Sequence, residues 1–234
     1  MKKSIPNAIT CLNLFSGCLA LCAVFADNLV LAAYFVALSA VFDFFDGLVA
    51  RALHVSSPIG KDLDSLADVV SFGVVPGAML FALLRQAGTD LPDWLPYAGF
   101  ILTVFSALRL AKFNNDTRQS DSFIGLPTPA CTLVVASLPL ILADDRFSLS
   151  PLLLNPWVLL GLTVVLSGLL VAELPLFALK FKSLRWQDNK LRIVFLLLSI
   201  ILLVALGPVA VPPIILLYVL LSVLSPSEPT SVAA

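Results

Sequence analysis

Long apolar runs constrain this chain more than any other feature of its sequence. Residues 8–26 contain no charged side chain, and a stretch of about 18 apolar residues is long enough to cross a bilayer. The chain is 59% hydrophobic and only 12% charged, about half the charged fraction of a soluble domain. We therefore predict an all-α fold, a polytopic membrane helical bundle.

The apolar pattern predicts about eight transmembrane helices. They cover residues 8–26, 29–51, 63–85, 94–112, 128–143, 153–173, 191–207 and 209–224. The boundary between the last two depends on the sequence "GPVAVPP", which is a turn signal. We expect one transmembrane domain at residues 1–224 and a disordered tail at residues 225–234.

Lysine and arginine predict the orientation of these spans, because cytoplasmic loops carry an excess of both. With the N-terminus in the cytoplasm, 12 of the 14 basic residues fall on the inner side, and only Arg85 and Arg146 fall outside. We therefore expect an integral protein of a bacterial cytoplasmic membrane, in contact with membrane lipid. No basic arm or aromatic–basic stripe suggests a nucleic-acid partner.

Aspartates are concentrated where the second and third spans meet on the cytoplasmic side. Asp43 and Asp46 are three residues apart, and Asp64 and Asp68 are four apart, so each pair shares one face of a helix. The pattern predicts a cluster of four carboxylates just below the lipid headgroups. Asp62 does not fit the pattern and is interpreted as a solvated charge, and His54 as a loop residue.

Four bare carboxylates would repel one another, by about 4 kcal/mol per pair at 4 Å even at an effective dielectric constant of 20. Two divalent cations would neutralise them. A ligand set made only of oxygens suits Mg²⁺ or Mn²⁺, and ionisable residues within membranes are commonly functional.

Small residues lie on the same helix faces as the aspartates. Gly47 and Ala50 follow Asp46, and Gly60 lies one turn before Asp64. Glycine within a helix costs about 1 kcal/mol relative to alanine, so these glycines serve either close helix packing or the approach of a bulky ligand. Together with Arg51, the metal and the space suggest a nucleoside diphosphate held through its phosphates.

The spacing of these residues, D-G-x2-A-R-x8-G-x3-D-x3-D with Asp43 three positions earlier, resembles the signature of the CDP-alcohol phosphotransferase family. The resemblance implies transfer of a phosphatidyl group from a CDP-linked lipid to an alcohol, with release of CMP, by a homodimer. It also implies roles for individual residues. Asp43, Asp46 and Asp64 would bind metal, Asp68 would lie at the metal site as general base, and Gly47, Ala50 and Gly60 would line the cytidine pocket, with Arg51 toward the phosphates.

Within that family, several segments resemble the integral-membrane phosphatidylserine synthases. They are "DSLADVVSFGVVPG" at residues 64–77, "RLAKFN" at 109–114 and "FIGLPTPA" at 123–130, with Asn13 where glycerophosphate-using relatives typically carry arginine. The expected substrates are CDP-diacylglycerol and L-serine. Arg109, Lys112 and Asn114 are candidate contacts to serine or phosphate, and they are equally well explained as basic anchors at the membrane surface.

Other functions remain open at this stage. The acceptor could be inositol, glycerol phosphate or choline. The aspartates could also form the ion path of a divalent cation transporter, although transporters distribute polar residues over several helices near the midplane.

Overall fold

A computed structural model describes residues 4–88, 92–116, 122–177 and 186–224 of the chain. Its helices are α1 (Ser4–Phe25), α2 (Leu29–Ala52), α3 (Pro58–Val69), α4 (Val75–Gln86), α5 (Ile101–Asn115), α6 (Thr128–Asp144), α7 (Ser150–Leu153), α8 (Pro156–Val171), α9 (Trp186–Leu206) and α10 (Val211–Leu224). The predicted tail, Lys2, Lys3, Arg118, Lys180, Lys182 and Arg185 lie outside the described residues.

Each of the eight predicted spans coincides with a helical segment. Among the described residues, five segments are long and apolar enough to cross a membrane: Ser4–Phe25, Leu29–Ala52, Pro58–Gln86, Leu95–Asn115 and Asn189–Leu224. Two more, α6 and α8, are apolar but shorter. Large apolar side chains such as Phe15 and Val204 are exposed on the outer faces of the bundle, as expected where lipid is the solvent. The chain is therefore an integral membrane protein.

The longest segment, Asn189–Leu224, consists of two antiparallel arms. The rings of Phe195 on α9 and Tyr218 on α10 lie 5.8 Å apart, whereas a straight helix would separate these residues by about 35 Å. The reversal occurs at Gly207–Ala210, where Gly207 has a φ of 58°. The predicted turn at "GPVAVPP" is thus present.

The segment Pro58–Gln86 is the central helix of the bundle. It contains a π-helical turn at Val70–Val74, followed by Pro76, which has no N–H to donate to the carbonyl of Phe72. The hydroxyl of Thr132 on α6 donates to that carbonyl instead, at 2.9 Å. Such π turns often lie at functional sites, and this one begins two residues after Asp68.

Helix α1 packs closely against this π turn. Any side chain at Gly17 would collide with Ser71, and the hydroxyl of Ser71 donates to the backbone carbonyl of Asn13 at 3.2 Å. The hydroxyl of Ser39 on α2 donates to the same carbonyl at 3.1 Å. The polar residues of α1 are thereby held between α2 and the central helix.

A short antiparallel ribbon, which the sequence did not predict, joins two loops at one end of the bundle. Strand β1 (Ser122–Ile124) pairs with β2 (Pro175–Phe177). Gly125 follows β1 with a φ of 78°, and a Cβ there would lie 2.6 Å from the carbonyl oxygen of Leu170. Only glycine fits this combination of backbone conformation and close approach.

Candidate active site

Three aspartates meet where α2 and α3 come together. Carboxylate oxygens of Asp43 on α2 and of Asp64 and Asp68 on α3 all lie within 4.8 Å of one another. Asp43 and Asp64 are half-buried and Asp68 is buried. In the described parts of the chain, no lysine or arginine forms an ion pair with any of the three.

The short loop between α2 and α3 sets the distance between these carboxylates. His54 in this loop has a φ of 51°. The side chain of Ser57 then caps α3 by accepting a hydrogen bond from the N–H of Gly60 at 3.0 Å, and Pro58 occupies the first turn, as is common at helix starts. A defined helix start fixes the rotation of α3 and hence the direction of Asp64 and Asp68.

Asp46 lies beside the three clustered aspartates but is not among them. Its side chain is buried, and the hydroxyl of Thr10 on α1 donates to its Oδ2 at 2.6 Å. The predicted group of four carboxylates is therefore three that converge and one that hydrogen-bonds to α1.

Asp68 is also held by α1. The side-chain Nδ2 of Asn13 donates to Oδ1 of Asp68 at 3.3 Å. Asn13 has no exposed surface, and its own Oδ1 has no hydrogen-bond partner in the described structure. This single hydrogen bond fixes one oxygen of the most buried carboxylate of the cluster.

A cavity of about 490 Å³ opens next to the cluster. It is lined by Pro6, Asn7 and Thr10 of α1, by Asp46, Gly47 and Ala50 of α2, by Val55, Ser56 and Ser57 of the loop, and by Pro58, Gly60, Lys61 and Asp64 of α3. The three small residues that the sequence predicted for a nucleotide pocket all lie on its wall.

The two glycines differ in how tightly their surroundings are packed. A Cβ on Gly60 would lie 3.1 Å from both Asn7 Oδ1 and Ser57 Oγ. The atoms nearest a Cβ on Gly47 would be those of the Arg51 guanidinium, with Nη1 at 3.4 Å. Arg51 itself is exposed and does not line the cavity. Its guanidinium lies over Gly47, one helical turn earlier.

The three basic or polar candidates on α5 are in different environments. Arg109 is only 6% exposed, and its guanidinium lies 4.9 Å from the ring centroid of Phe113. Lys112 is exposed. The side-chain amide of Asn114 donates to Ser65 at 2.7 Å, and its backbone carbonyl accepts from Lys61 at 2.9 Å. Asn114 thus ties α5 to α3.

Arg109 is a buried cation that contacts the ring of Phe113 but has no acidic partner among the described residues. Its Nε makes no hydrogen bond within the described ranges, and α5 packs against α3, the helix that carries Asp68. An unpaired charge is costly to bury. The arrangement is well suited to receive an anionic group beside the carboxylate cluster.

The donor set and spacing of the aspartates fit a divalent cation. Three carboxylates that converge within 4.8 Å offer only oxygen ligands, which Mg²⁺ and Mn²⁺ prefer. Asp43, Asp64 and Asp68 can therefore hold a metal ion between α2 and α3.

Of the residues that α1 contributes to the site, only Asn13 was singled out from the sequence, and Asn7 and Thr10 were not predicted. Asn7, Thr10 and Asn13 recur every three residues in a segment that is otherwise apolar around them, and this spacing places them along one side of a helix. This row of polar residues on one side of an apolar helix could have indicated that α1 contributes to the site.

The chain matches known proteins over most of its length. Residues 3–172 match the family model described as CDP-alcohol phosphatidyltransferase. A CDP-diacylglycerol–serine O-phosphatidyltransferase of Helicobacter pylori strain J99 is 31% identical over 198 residues, covering 84% of this chain and 80% of the relative. The enzyme of the same name from Bacillus subtilis strain 168 is 34% identical over 160 residues, covering 64% and 86%.

A further relative has a different name, which also contains serine. The archaetidylserine synthase of Methanothermobacter thermautotrophicus is 32% identical over 139 residues, covering 57% of each chain.

Proposed function

This chain belongs to the CDP-alcohol phosphatidyltransferase family, and from that premise we propose that it transfers a phosphatidyl group from CDP-diacylglycerol to the hydroxyl of L-serine, yielding phosphatidylserine and CMP. The observation that carries the proposal is the convergence of Asp43, Asp64 and Asp68 at a cavity lined by Gly47 and Gly60. The choice of serine is supported by the names of the relatives.

The proposed cofactor is a pair of Mg²⁺ or Mn²⁺ ions. Asp43, Asp64 and Asp68 would hold them, with Asp46 as a further ligand that Thr10 orients. When bound, such ions would neutralise the charge that develops on the diphosphate as CMP leaves.

Asp68 is the proposed general base. The serine oxygen attacks the lipid-side phosphorus, a new P–O bond forms, the P–O bond to CMP breaks, and the hydroxyl proton passes to the Asp68 carboxylate. Because Asn13 donates to Oδ1 of Asp68, the other oxygen, Oδ2, is the one proposed to accept the proton. Burial of Asp68 keeps bulk water from competing with serine.

The CDP head group is proposed to occupy the cavity beside the cluster. Gly47, Ala50 and Gly60 leave room for the nucleotide, and the exposed Arg51 would approach the phosphates from the cavity edge. The diacyl tails would remain in lipid, since the site lies at one end of the bundle.

Arg109 is the proposed partner of the serine carboxylate. It is buried on α5, which packs against the helix that carries Asp68, and has no acidic partner in the described structure, and a guanidinium binds a carboxylate in a bidentate manner. Lys112 is exposed and would act as a cation at the site entrance. Asn114 would act through Ser65 and Lys61, which it bonds.

We further propose a homodimer in a bacterial cytoplasmic membrane, with the N-terminus and the site on the cytoplasmic side. The basic residues Arg51, Lys61, Arg109 and Lys112 support this orientation, because they surround the end of the bundle that carries the site, while Arg85 lies at the far end of α4.

One experiment tests the function directly. Purified protein is incubated with CDP-diacylglycerol and Mg²⁺ or Mn²⁺, and CMP release is measured with L-serine, inositol, glycerol phosphate or choline. Serine should exceed the others by at least tenfold. A different best acceptor would refute serine as the substrate, and divalent cation flux into proteoliposomes without CMP release would support a transporter instead.

A further inference from the structure

A second cavity lies at the end of the bundle opposite the aspartates. Its volume is about 430 Å³, and it adjoins a smaller cavity of about 270 Å³, because Phe81, Arg85 and Tyr97 line both. We call the two together the distal cavity. Arg85 and Asp68 are 17 positions apart in the central helix, or about 25 Å along its axis, which is close to the thickness of a hydrocarbon core. The distal cavity therefore lies near the headgroups of the other leaflet.

Aromatic side chains also mark this end of the bundle as a membrane interface. Trp94 and Tyr97 are 68% and 62% exposed, and both residue types are enriched where a membrane meets water. Gly99 allows the segment that carries Tyr97 to approach α4, since a Cβ there would lie 2.7 Å from the backbone nitrogen of Phe81. The rings of Phe81 and Tyr97 consequently lie 5.1 Å apart. Packed rings thus form one wall of the distal cavity.

Arg85 is the cation among the described residues that line the distal cavity. Its guanidinium lies 5.8 Å from the ring centroid of Phe81. It forms no ion pair in the described part of the chain. A guanidinium that stacks on a ring keeps its N–H donors at its edge, and arginine binds phosphate in a bidentate manner. Arg85 is therefore suited to bind the phosphate of a ligand in the cavity.

Two carboxylates line the same cavity without pairing with Arg85. Asp27 lies on the wall of the larger part and Asp93 on that of the smaller. Asp27 has a φ of 55° in the turn between α1 and α2, a conformation that aspartate adopts more readily than most residues. Its N–H donates to the carbonyl of Val24 at 3.0 Å. Two carboxylates repel a purely anionic ligand, whereas a ligand with a phosphate and an ammonium group matches both signs of charge.

The remaining wall of the distal cavity is apolar and borders the lipid. Val24, Phe25, Ala78, Ala82 and Phe100 line it. Phe25 is 75% exposed on the surface of the bundle. A ligand with acyl chains could therefore keep its chains in the membrane while its headgroup enters the cavity, which a soluble phosphate compound could not exploit.

We propose that the distal cavity binds the headgroup of a zwitterionic aminophospholipid from the leaflet opposite the active site. Its phosphate pairs with Arg85, its ammonium group lies toward Asp27 or Asp93, and its chains run beside Phe25. The lipid would contact α1, α4 and the aromatic segment before α5 together, so it would stabilise the folded protein. The inference is independent of the proposed function, because no step of the transfer uses this end of the bundle.

The test compares two phospholipids that have identical acyl chains. Protein purified in detergent is titrated with phosphatidylethanolamine or phosphatidylglycerol, and bound lipid is measured by native mass spectrometry. Wild-type protein should retain one phosphatidylethanolamine per chain, with at least fivefold higher affinity than for phosphatidylglycerol, and its Tm should rise more with the former. Equal affinity for the two lipids would overturn the proposal.

Substitutions on the cavity wall link binding to the two signs of charge. Arg85→Gln removes an exposed cation and should lower the affinity for phosphatidylethanolamine about tenfold, the usual effect of losing a hydrogen bond to a charged group. Arg85→Lys, which keeps the charge, should lose less. Asp27→Asn combined with Asp93→Asn should bring the affinity ratio of the two lipids close to one, and asparagine tolerates the backbone conformation at position 27. Unchanged affinity in Arg85→Gln would overturn the proposal.

Two controls separate the distal cavity from other sites. Arg146→Gln removes the other basic residue that the sequence places on this side, one that pairs with Asp144 at 2.9 Å, and it should bind phosphatidylethanolamine as wild type does. A loss equal to that of Arg85→Gln would assign the effect to general surface charge and overturn the proposal. Asp64→Asn alters the cavity at the opposite end and should leave the affinity unchanged. A loss in Asp64→Asn without one in Arg85→Gln would place the lipid in the active site instead.

Discussion

The side-chain Nδ2 of Asn13 donates a hydrogen bond to Oδ1 of Asp68 at 3.3 Å, across 55 positions of sequence. Three residues earlier on the same helix, Thr10 donates to Asp46 at 2.6 Å. One face of α1 thus orients a carboxylate from each of the two helices that carry the site. Orientation of this kind is what a cluster of like charges needs, since repulsion alone would turn its members apart.

Removing the Asn13 amide should slow the chemical step. Asn13→Leu keeps the volume of the side chain but leaves Oδ1 of Asp68 without its donor, so the carboxylate can rotate away from the serine hydroxyl. We expect kcat to fall about tenfold, in line with the loss of a hydrogen bond to a charged group, with CDP-diacylglycerol affinity within twofold. Single-turnover CMP formation beside equilibrium lipid binding is the measurement, and an unchanged kcat would contradict the role.

Removing the Thr10 hydroxyl should weaken CDP-diacylglycerol binding rather than slow the chemical step. Thr10→Val is isosteric and frees Asp46, which lines the cavity rather than joining the three converging carboxylates. CDP-diacylglycerol affinity should fall about fivefold to tenfold while the single-turnover rate at saturation stays within threefold. Thr10→Ser, which keeps the hydroxyl, should restore binding. If Thr10→Ser binds CDP-diacylglycerol as weakly as Thr10→Val, the loss comes from altered packing and not from the missing hydroxyl.

Asparagine substitutions at Asp68 and Asp64 should have different effects on turnover and binding, although the two residues share a helix face. Asp68→Asn keeps shape and one metal-facing oxygen but cannot accept a proton, so kcat should drop by roughly 10²–10⁴ with CDP-diacylglycerol binding nearly intact at saturating Mg²⁺. Asp64→Asn should weaken metal and lipid binding together. Because removing one charge of a coupled cluster changes its neighbours, both variants are compared at saturating metal. Turnover by Asp68→Asn within a few-fold of wild type would show that Asp68 is not the base.

The two cavity glycines should tolerate a methyl group unequally. Gly60→Ala presses on Asn7 and Ser57 at 3.1 Å, whereas Gly47→Ala meets only the flexible end of Arg51 at 3.4 Å. The KM for CDP-diacylglycerol should rise about fivefold or more in Gly60→Ala and less than twofold in Gly47→Ala. Leucine at either position should obstruct the nucleotide and weaken binding sharply. Gly161→Ala on α8, with no atom within 4 Å, is the control that should behave as wild type.

Divalent cations should be required for turnover and should stabilise the fold. EDTA should abolish CMP release and Mg²⁺ or Mn²⁺ should restore it. A cation that relieves repulsion among Asp43, Asp64 and Asp68 binds the folded state preferentially, so Mg²⁺ should raise the Tm of wild-type protein. The rise should shrink in Asp64→Asn, which has one ligand fewer. Full activity after thorough chelation would show that turnover requires no metal ion.

The sequence predicted the spans and the identity of the site helices well, because both depend on local patterns. Apolar runs and the turn at Gly207 correspond to helices and to the reversal that the structure contains. The sequence motif grouped Gly47 with Asp46 on α2 and Gly60 with Asp64 on α3, and all four line one cavity. Metal binding, the role of Asp68 as base and the homodimer stay predictions.

Contacts between helices were not predictable in the same way. Asn114 was a candidate substrate contact, and the structure uses its amide to bond Ser65. Arg51 was expected toward the phosphates, and its guanidinium lies over Gly47 outside the cavity wall. For Asn114, packing of α5 against α3 decided which way the side chain extends, whereas Arg51 is exposed and its role toward the phosphates stays a prediction.

What the sequence determined by itself is therefore the set of helices and the face on which each carries its functional residues, since helix periodicity repeats within a few residues. Only the tertiary structure decided that Asp43 converges with Asp64 and Asp68 while Asp46 turns to Thr10, and that Tyr218 of the C-terminal hairpin bonds to Phe177 of the ribbon. The physical reason is that the rotation of one helix against another is set by side-chain packing, by close approaches such as Gly17 to Ser71, and by hydrogen bonds between residues far apart in the chain, none of which leaves a local pattern in the sequence.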